Sequence, residues 1–295
     1  MLFEGFRTHD VDVGGVRIHA VVGGDGPPVL LLHGYPQTHV MWHRVAPKLA
    51  RDHTVVAADL RGYGDSGKPP GGERHEAYSK RAMAADQLRL MTELGFDEFA
   101  IVGHDRGARV AHRLSLDAPG RVSRVAVLDI APTRHMYRTA DSEFARAYYH
   151  WFFLIQPYDL PERLIGADPE YFLNTKLGQW GARAGAHTPE AKAEYLRCWS
   201  DPATVHASCE DYRAAAGIDL EHDERDERAA HRLTMPLLAL WGERGFVGRY
   251  YPLLDVWREY ADDVRGHGVD CGHFLAEESP AETTTALREF LGNWT

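Results

Sequence analysis

An acidic residue stands between two glycines in the segment Gly103-His104-Asp105-Arg106-Gly107. A short apolar run precedes this segment and a helical pattern follows it. The spacing is that of a nucleophile elbow, a strained strand-to-helix turn that needs small neighbours and directs its central side chain into a cavity. Such elbows commonly carry serine. With Asp105 at the centre, we expect displacement at a carbon atom by a carboxylate rather than acyl transfer. The alternative is that Asp105 only caps the helix.

A nucleophile of this kind needs a general base and an acid that orients the base. His273 is the candidate base, because it follows the last predicted strand and precedes the final helical segment. Two carboxylates are candidates for the orienting acid. Glu243 lies in the loop where such acids are more often found, but it comes too early in that loop, and Gly245-Phe246 stands where the carboxylate is expected. We favour Asp129, which ends an apolar run where a carboxylate is costly unless paired.

Hydrogen-bond donors near the elbow, from the backbone and from side chains, are expected to bind negative charge in this site. The backbone N–H groups of Tyr35 and Arg106 are the predicted oxyanion hole, since N–H groups at a helix start suit developing negative charge. Arg106 and Arg109 are three residues apart at the start of the predicted helix and share one face. Two guanidiniums there would hold a substrate carboxylate and keep Asp105 ionised. The alternative is a pair of salt-bridging surface arginines.

The chain around these residues predicts an α/β fold with a mostly parallel central sheet. Strand and helix patterns alternate, and several strands are continuous apolar runs, which indicates burial on both faces. The segment 132–232 breaks this alternation, because it is rich in aromatic residues and helical in pattern. We therefore predict a core domain of residues 1–131 and 233–295 and a helical cap domain of residues 132–232. The predicted elements are a hairpin at 9–23, strands at 28–33, 54–58, 99–102, 122–130, 237–241 and 263–269, and helices at about 40–50, 78–94, 106–117 and 281–291.

Two details concern the segment 132–232. The acidic run 221–228 is expected to be a solvated face or loop. Tyr148, Tyr149, Phe152 and Phe153 are expected to pack inside the cap.

The composition of the chain indicates which binding partners and which cellular location to expect. The formal net charge is −10, which argues against nucleic acid and anionic membranes, so an anionic substrate must be attracted by local positive charge. The chain has three cysteines without metal-ligand spacing, and it shows neither a signal peptide nor a membrane-spanning run. We expect a cytoplasmic protein without a metal site.

The motifs as a set resemble the α/β-hydrolase superfamily, and within it the fluoroacetate (haloacetate) dehalogenases. The segments that carry the resemblance are 33–37, 61–66, 103–109, 128–130, 145–151, 165–169, 208–214 and 272–274. The resemblance implies that Asp105 attacks the substrate carbon, that His273 with Asp129 activates water, and that Arg106 and Arg109 hold the carboxylate. It further implies a small anionic haloacid and water as reactants, no cofactor, and a homodimer.

The same resemblance implies that His150, Trp151 and Tyr212 form the halide pocket. These residue types suit that role, because each can donate a hydrogen bond to a departing halide. Trp180 is a candidate for lining the access channel. Haloalkane dehalogenases generally carry tryptophan after the nucleophile, whereas Arg106 stands there in this chain, which favours a haloacid substrate.

Two other functions stay open at this level. An epoxide hydrolase would use the same aspartate and histidine, with Tyr212 and either Tyr148 or Tyr149 protonating the epoxide oxygen. A non-catalytic ligand-binding protein of the same fold is the other alternative, although the complete set Asp105, Asp129 and His273 argues against it.

Overall fold

The structure, a computed structural model, describes residues 2–292 and is built on a sheet of eight strands. The strands lie in the order β1-β2-β4-β3-β5-β6-β7-β8. Their bounds are β1 (Arg7–Asp12), β2 (Arg17–Gly23), β3 (Pro28–Leu32), β4 (Thr54–Ala58), β5 (Phe99–His104), β6 (Val122–Leu128), β7 (Leu237–Gly242) and β8 (Val264–Val269). β1 pairs antiparallel with β2 and β2 antiparallel with β4, whereas β3 to β8 are parallel. The predicted α/β fold with a mostly parallel sheet is confirmed.

Helices cover the sheet and fill the interval between β6 and β7. Short 3-10 helices form at His39–Trp42, Glu76–Tyr78 and Pro119–Arg121. Within residues 2–292 the α-helices are α1 (Ala46–Leu49), α2 (Lys80–Glu93), α3 (Arg106–Asp117), α4 (Thr133–Arg138), α5 (Ser142–Ala147), α6 (Tyr149–Leu154), α7 (Leu160–Gly166), α8 (Pro169–Trp180), α9 (Pro189–Trp199), α10 (Pro202–Ala216), α11 (Ile218–Arg228), α12 (Phe246–Tyr250), α13 (Leu253–Arg258), α14 (Leu275–Glu278) and α15 (Pro280–Leu291).

The parallel strands bring distant segments to one edge of the sheet. Leu32 of β3 pairs with Gly103 of β5, and His104 of β5 pairs with Leu128 of β6. The residues after β3, β5, β6 and β8 therefore meet at the carboxyl ends of the strands, where ligands bind in open α/β sheets. Asp105 and Asp129 each come directly after one of these strands.

Three local predictions were wrong or incomplete. The single helix predicted at 40–50 is a 3-10 helix followed by the one-turn helix α1. The acidic run 221–228, predicted as a solvated face or loop, belongs to the helix α11, and His222 is its buried member. Tyr149 and Phe152 are exposed by 41% and 36%, so they do not pack inside the segment between β6 and β7.

Two composition-based expectations can be compared with the described residues. Across residues 2–292, no helix combines the length and the apolar composition that a membrane span requires. The three cysteines are buried free thiols. The cytoplasmic location, the homodimer and the domain boundaries stay predictions.

Candidate active site

Asp105 sits in a strained turn between β5 and α3. Its backbone has φ 45° and ψ −113°, a conformation that residues other than glycine rarely adopt. The flanking glycines are required by space, because a Cβ on Gly103 would lie 2.5 Å from the Cα of Ala108, and one on Gly107 would lie 2.4 Å from the carbonyl oxygen of His33. The Asp105 side chain is buried, and the backbone N–H of Tyr35 donates to its Oδ2 over 3.0 Å. One carboxylate oxygen is thus held by a backbone donor.

His273 and Asp129 form a buried pair beside the elbow. Nδ1 of His273 lies 2.6 Å from Oδ2 of Asp129, and the backbone N–H of Gly242 donates to Oδ1 of the same carboxylate over 2.9 Å. The other candidate acid, Glu243, is exposed and packs beside Gly268 instead. The geometry therefore pairs the histidine with the carboxylate at the end of β6.

The pKa shifts of Asp105 and His273 are coupled. Burial alone would raise the pKa of Asp105, but the positive charges of His273 and Arg109 outweigh burial and hold it below its usual value. Burial alone would lower the pKa of His273, but the hydrogen bond and charge of Asp129, together with the charge of Asp105, raise it. Asp105 is therefore ionised at neutral pH, as a nucleophile must be.

Arg106 and Arg109 are buried rather than exposed, at 0% and 3% of their accessible surface. Nε and Nη2 of Arg106 donate to the Asp211 carboxylate over 2.9 and 2.7 Å. Nη1 of Arg109 donates to the carbonyl of Ala131 over 3.0 Å and to Oγ1 of Thr133 over 2.9 Å. Within residues 2–292, Nη1 of Arg106 and Nε of Arg109 have no hydrogen-bond partner. One donor group on each fixed guanidinium is thus available to a ligand.

Further donors without partners surround the same space. His150 Nδ1, Trp151 Nε1 and the Tyr212 hydroxyl are buried, and none is hydrogen-bonded to any residue that the structure describes. The Tyr212 ring centre lies 5.7 Å from that of His150 and 6.5 Å from that of Trp151. Burial and the nearby Lys176 lower the pKa of His150 well below its usual value, so its ring is neutral. The predicted halide residues are therefore clustered.

Arg106 and Arg109, which follow Asp105 in the chain, contact two of these aromatic rings. The guanidinium of Arg106 lies 4.1 Å from the centre of the Tyr212 ring, and that of Arg109 lies 4.8 Å from the centre of the Trp151 ring. Cation–π contacts of this kind are stronger when both groups are desolvated. Nucleophile, guanidiniums and aromatic donors thus form one buried cluster.

Comparison with known proteins identifies the family of this chain. Residues 27–280 match the family model described as alpha/beta hydrolase fold. The chain is 48% identical to the fluoroacetate dehalogenase of a Burkholderia species, over 99% of this chain and 96% of that protein. The chain belongs to the fluoroacetate dehalogenase family of the α/β hydrolases.

Two further proteins are similar to this hydrolase, one in sequence and one in structure. It is 36% identical to the soluble epoxide hydrolase of Corynebacterium sp. strain C12, over 96% of both chains. Its structure matches ALR0039, a candidate α/β hydrolase from Nostoc sp. PCC 7120, with a TM-score of 0.97, 58% identity and coverage of 100% of both chains.

Asp211 is a site residue that reasoning from the sequence missed. It is fully buried and binds Arg106, the hydroxyl of Tyr63 (2.7 Å) and the ammonium of Lys80. Asp211 comes from α10, whereas its three partners come from the chain before β6. The signal available in the sequence was an acidic residue directly before Tyr212, in a helical segment that also contains Cys209 and Ala214. A carboxylate in such a segment needs a buried positive partner.

Trp180, the predicted channel residue, lies beside the base. Its ring centre is 4.6 Å from that of His150 and 5.8 Å from that of His273, and the backbone N–H of His273 donates to its carbonyl over 3.0 Å. It lines a cavity that reaches His273 and Asp129.

Proposed function

We propose that this hydrolase breaks the carbon–halogen bond of short haloacids, with haloacetates as substrates and glycolate and halide as products. The observation that carries the proposal is the pair of buried, fixed guanidiniums beside the ionised Asp105. A neutral haloalkane would gain little from them, whereas a haloacid carboxylate accepts charge-assisted hydrogen bonds from Arg106 Nη1 and Arg109 Nε. The 48% identity to a fluoroacetate dehalogenase supports the same substrate class.

In the first step, Asp105 displaces the halide. Because Tyr35 holds Oδ2, Oδ1 is the oxygen that attacks the carbon bearing the halogen. A new C–O bond forms as the carbon–halogen bond breaks, and the bonding pair leaves with the halide. The product is an ester of Asp105, and His150, Trp151 and Tyr212 donate hydrogen bonds to the departing ion.

In the second step, water hydrolyses this ester. His273, oriented by Asp129, accepts a proton from water as the water oxygen attacks Cγ of Asp105. The N–H groups of Tyr35 and Arg106 stabilise the resulting oxyanion. Collapse breaks the ester bond, and His273 returns its proton to the glycolate oxygen. The new carboxyl group of Asp105 then loses the second proton of the water to solvent, which restores the carboxylate.

Parallel assays with fluoroacetate and chloroacetate test the reaction. Ion-selective electrodes should record fluoride or chloride, and chromatography should record an equal amount of glycolate. An Asp105→Asn variant should release neither halide. Purified wild-type protein that releases no halide from either compound would overturn the proposal.

Trapping the ester tests the route. A His273→Asn variant should stop after the first step, and mass spectrometry should then find one carboxymethyl group on a peptide that contains Asp105. In a single turnover in heavy-oxygen water, the label should appear in Asp105 and not in the first glycolate released. Label in that first glycolate would show direct attack by water.

Epoxide hydrolysis is a second candidate that one observation favours. The buried Tyr212 hydroxyl has no partner within residues 2–292 and would be able to protonate an epoxide oxygen. The 36% identity to a soluble epoxide hydrolase supports this candidate. Activity on styrene oxide that Tyr212→Phe abolishes, in a protein inert towards haloacetates, would select this function.

A further inference from the structure

A cavity of about 230 Å³ connects the surface to the catalytic pair. Asp129 and His273, both buried, form its inner end. Tyr148 and Trp180 are aromatic residues of its wall, and the exposed Arg249 lies at its surface. The cavity is therefore a route from solvent towards the base, along a wall rich in aromatic rings.

The arginines around this cavity differ in how their charges are used. Arg244 donates from Nε and Nη2 to the two carboxylate oxygens of Asp270, over 2.6 and 2.8 Å. Arg183 shares that carboxylate at 3.8 Å. Arg249 donates from Nε only to the carbonyl of Gly245, over 3.2 Å, and within residues 2–292 it forms no ion pair. Of the two arginines that line the cavity within the described residues, Arg249 is thus the one without a carboxylate partner.

An exposed cation has a particular effect on this chain. The net charge of −10 disfavours the approach of anions to the protein as a whole. A local positive charge at the opening of a cleft raises the concentration of anions there and speeds their association.

We propose that the cavity is an outer binding site for the substrate carboxylate, and that Arg249 is its cation. The anion binds first at Arg249, passes the rings of Tyr148 and Trp180, and is then held by Arg106 and Arg109. This role rests on the proposed function, since it requires an anionic substrate. It makes Arg249 a residue that selects for anions before the substrate reaches Asp105.

The association rate of chloroacetate tests this role. An Asp105→Asn parent keeps all the arginines and does not react, so stopped-flow tryptophan fluorescence would report binding alone. Adding Arg249→Gln should lower the association rate constant about threefold to tenfold at low ionic strength. The loss should shrink between about 10 mM and about 150 mM salt, because the Debye length falls from about 30 to about 8 Å.

Arg244→Gln in the same parent is the matched control, because it removes a cation of the same cavity that Asp270 already offsets. Its association rate should stay near that of the parent, and Arg249→Lys should retain most of the rate. Equal rates in the parent and Arg249→Gln, or an equal loss in Arg244→Gln, would overturn the role of Arg249. A parent that binds no chloroacetate by calorimetry would instead overturn the proposed function itself, and this role with it.

Discussion

Oδ2 of Asp129, at the end of β6, lies 2.6 Å from Nδ1 of His273, in the loop after β8. The carboxylate also occupies the space next to Gly245, since a Cβ built on Gly245 would lie 3.6 Å from Oδ1 of Asp129. Gly245 has φ −73° and ψ 165°, which any residue adopts. The loop after β7 and the end of β6 thus reach the same position beside the base.

Relocating the acid should therefore restore part of the activity. Asp129→Asn should lower turnover, and adding Gly245→Asp should recover about tenfold, because a carboxylate from position 245 can approach the same ring. Halide release by the wild type and by both variants measures the recovery. Gly245→Asn in the same background is the control, and an equal recovery there would show that charge is not responsible.

The pH profile should follow the raised pKa of His273. The base must be neutral to accept a proton, and Asp129 raises its pKa, so turnover falls as the pH drops through the pKa of His273. Asp129→Asn removes the charge and the hydrogen bond that raise this pKa. The acid limb of kcat should then move to lower pH, and an unmoved limb would mean that another group controls it.

Arg109 should be tested with a variant that keeps its charge. Arg109→Leu should lower kcat/KM for chloroacetate by about 10²-fold, the size expected for a charge-assisted hydrogen bond lost from a buried site. The kcat/KM of Arg109→Lys should lie between those of the wild type and Arg109→Leu, because lysine keeps the charge but not the fixed donor geometry. Steady-state rates of chloride release give the comparison. Wild-type kinetics in the leucine variant would contradict the assignment.

Trp151→Phe should separate fluoride from chloride release. Phenylalanine keeps a ring against Phe144 and the guanidinium of Arg109 but lacks the Nε1 donor. Loss of one preorganised donor costs about 10²-fold or more when charge develops strongly on its acceptor. Fluoride is the stronger acceptor, so defluorination should slow more than dechlorination. An equal slowing of both would indicate a packing effect.

Asp211→Asn should reduce stability. It would leave Arg106 and Lys80 without their shared carboxylate in a buried site, and breaking such a pair costs about 3–5 kcal/mol. Urea unfolding followed by circular dichroism measures the change. Asp270→Asn, at an exposed carboxylate, should leave the unfolding midpoint nearly unchanged. A small effect at Asp211 would show that water replaces the carboxylate.

The strand–helix pattern and the elbow were predictable from the sequence because they depend on local signals. Helix α3 has the predicted bounds 106–117, and the glycines at 103 and 107 mark a turn with no space for a Cβ. The pair of Asp129 and His273 was predictable because parallel strands end at one edge. These features follow from the hydrophobic periodicity of the sequence and from the rule that parallel strands have their carboxyl ends at one edge of the sheet.

The contacts of α10 could not be predicted, because they depend on how helices pack. Arg106 and Asp211 are 105 residues apart, and their pairing depends on where α10 packs relative to the elbow. The same dependence explains the error at Tyr149 and Phe152. Their apolar character suggested burial, but α6 buries His150, Trp151 and Leu154 on its other face.

The electrostatic coupling of Asp105 and His273 links the pKa of the base to the progress of the reaction. While Asp105 is an anion, its charge helps His273 to keep a proton, and the protonated ring in turn helps Asp105 to stay ionised. Ester formation removes that anion, so the pKa of His273 falls once the halide has left. The histidine is therefore more readily neutral, and so a better base, once there is an ester to hydrolyse. Formation of the ester in the first step thus favours its hydrolysis in the second.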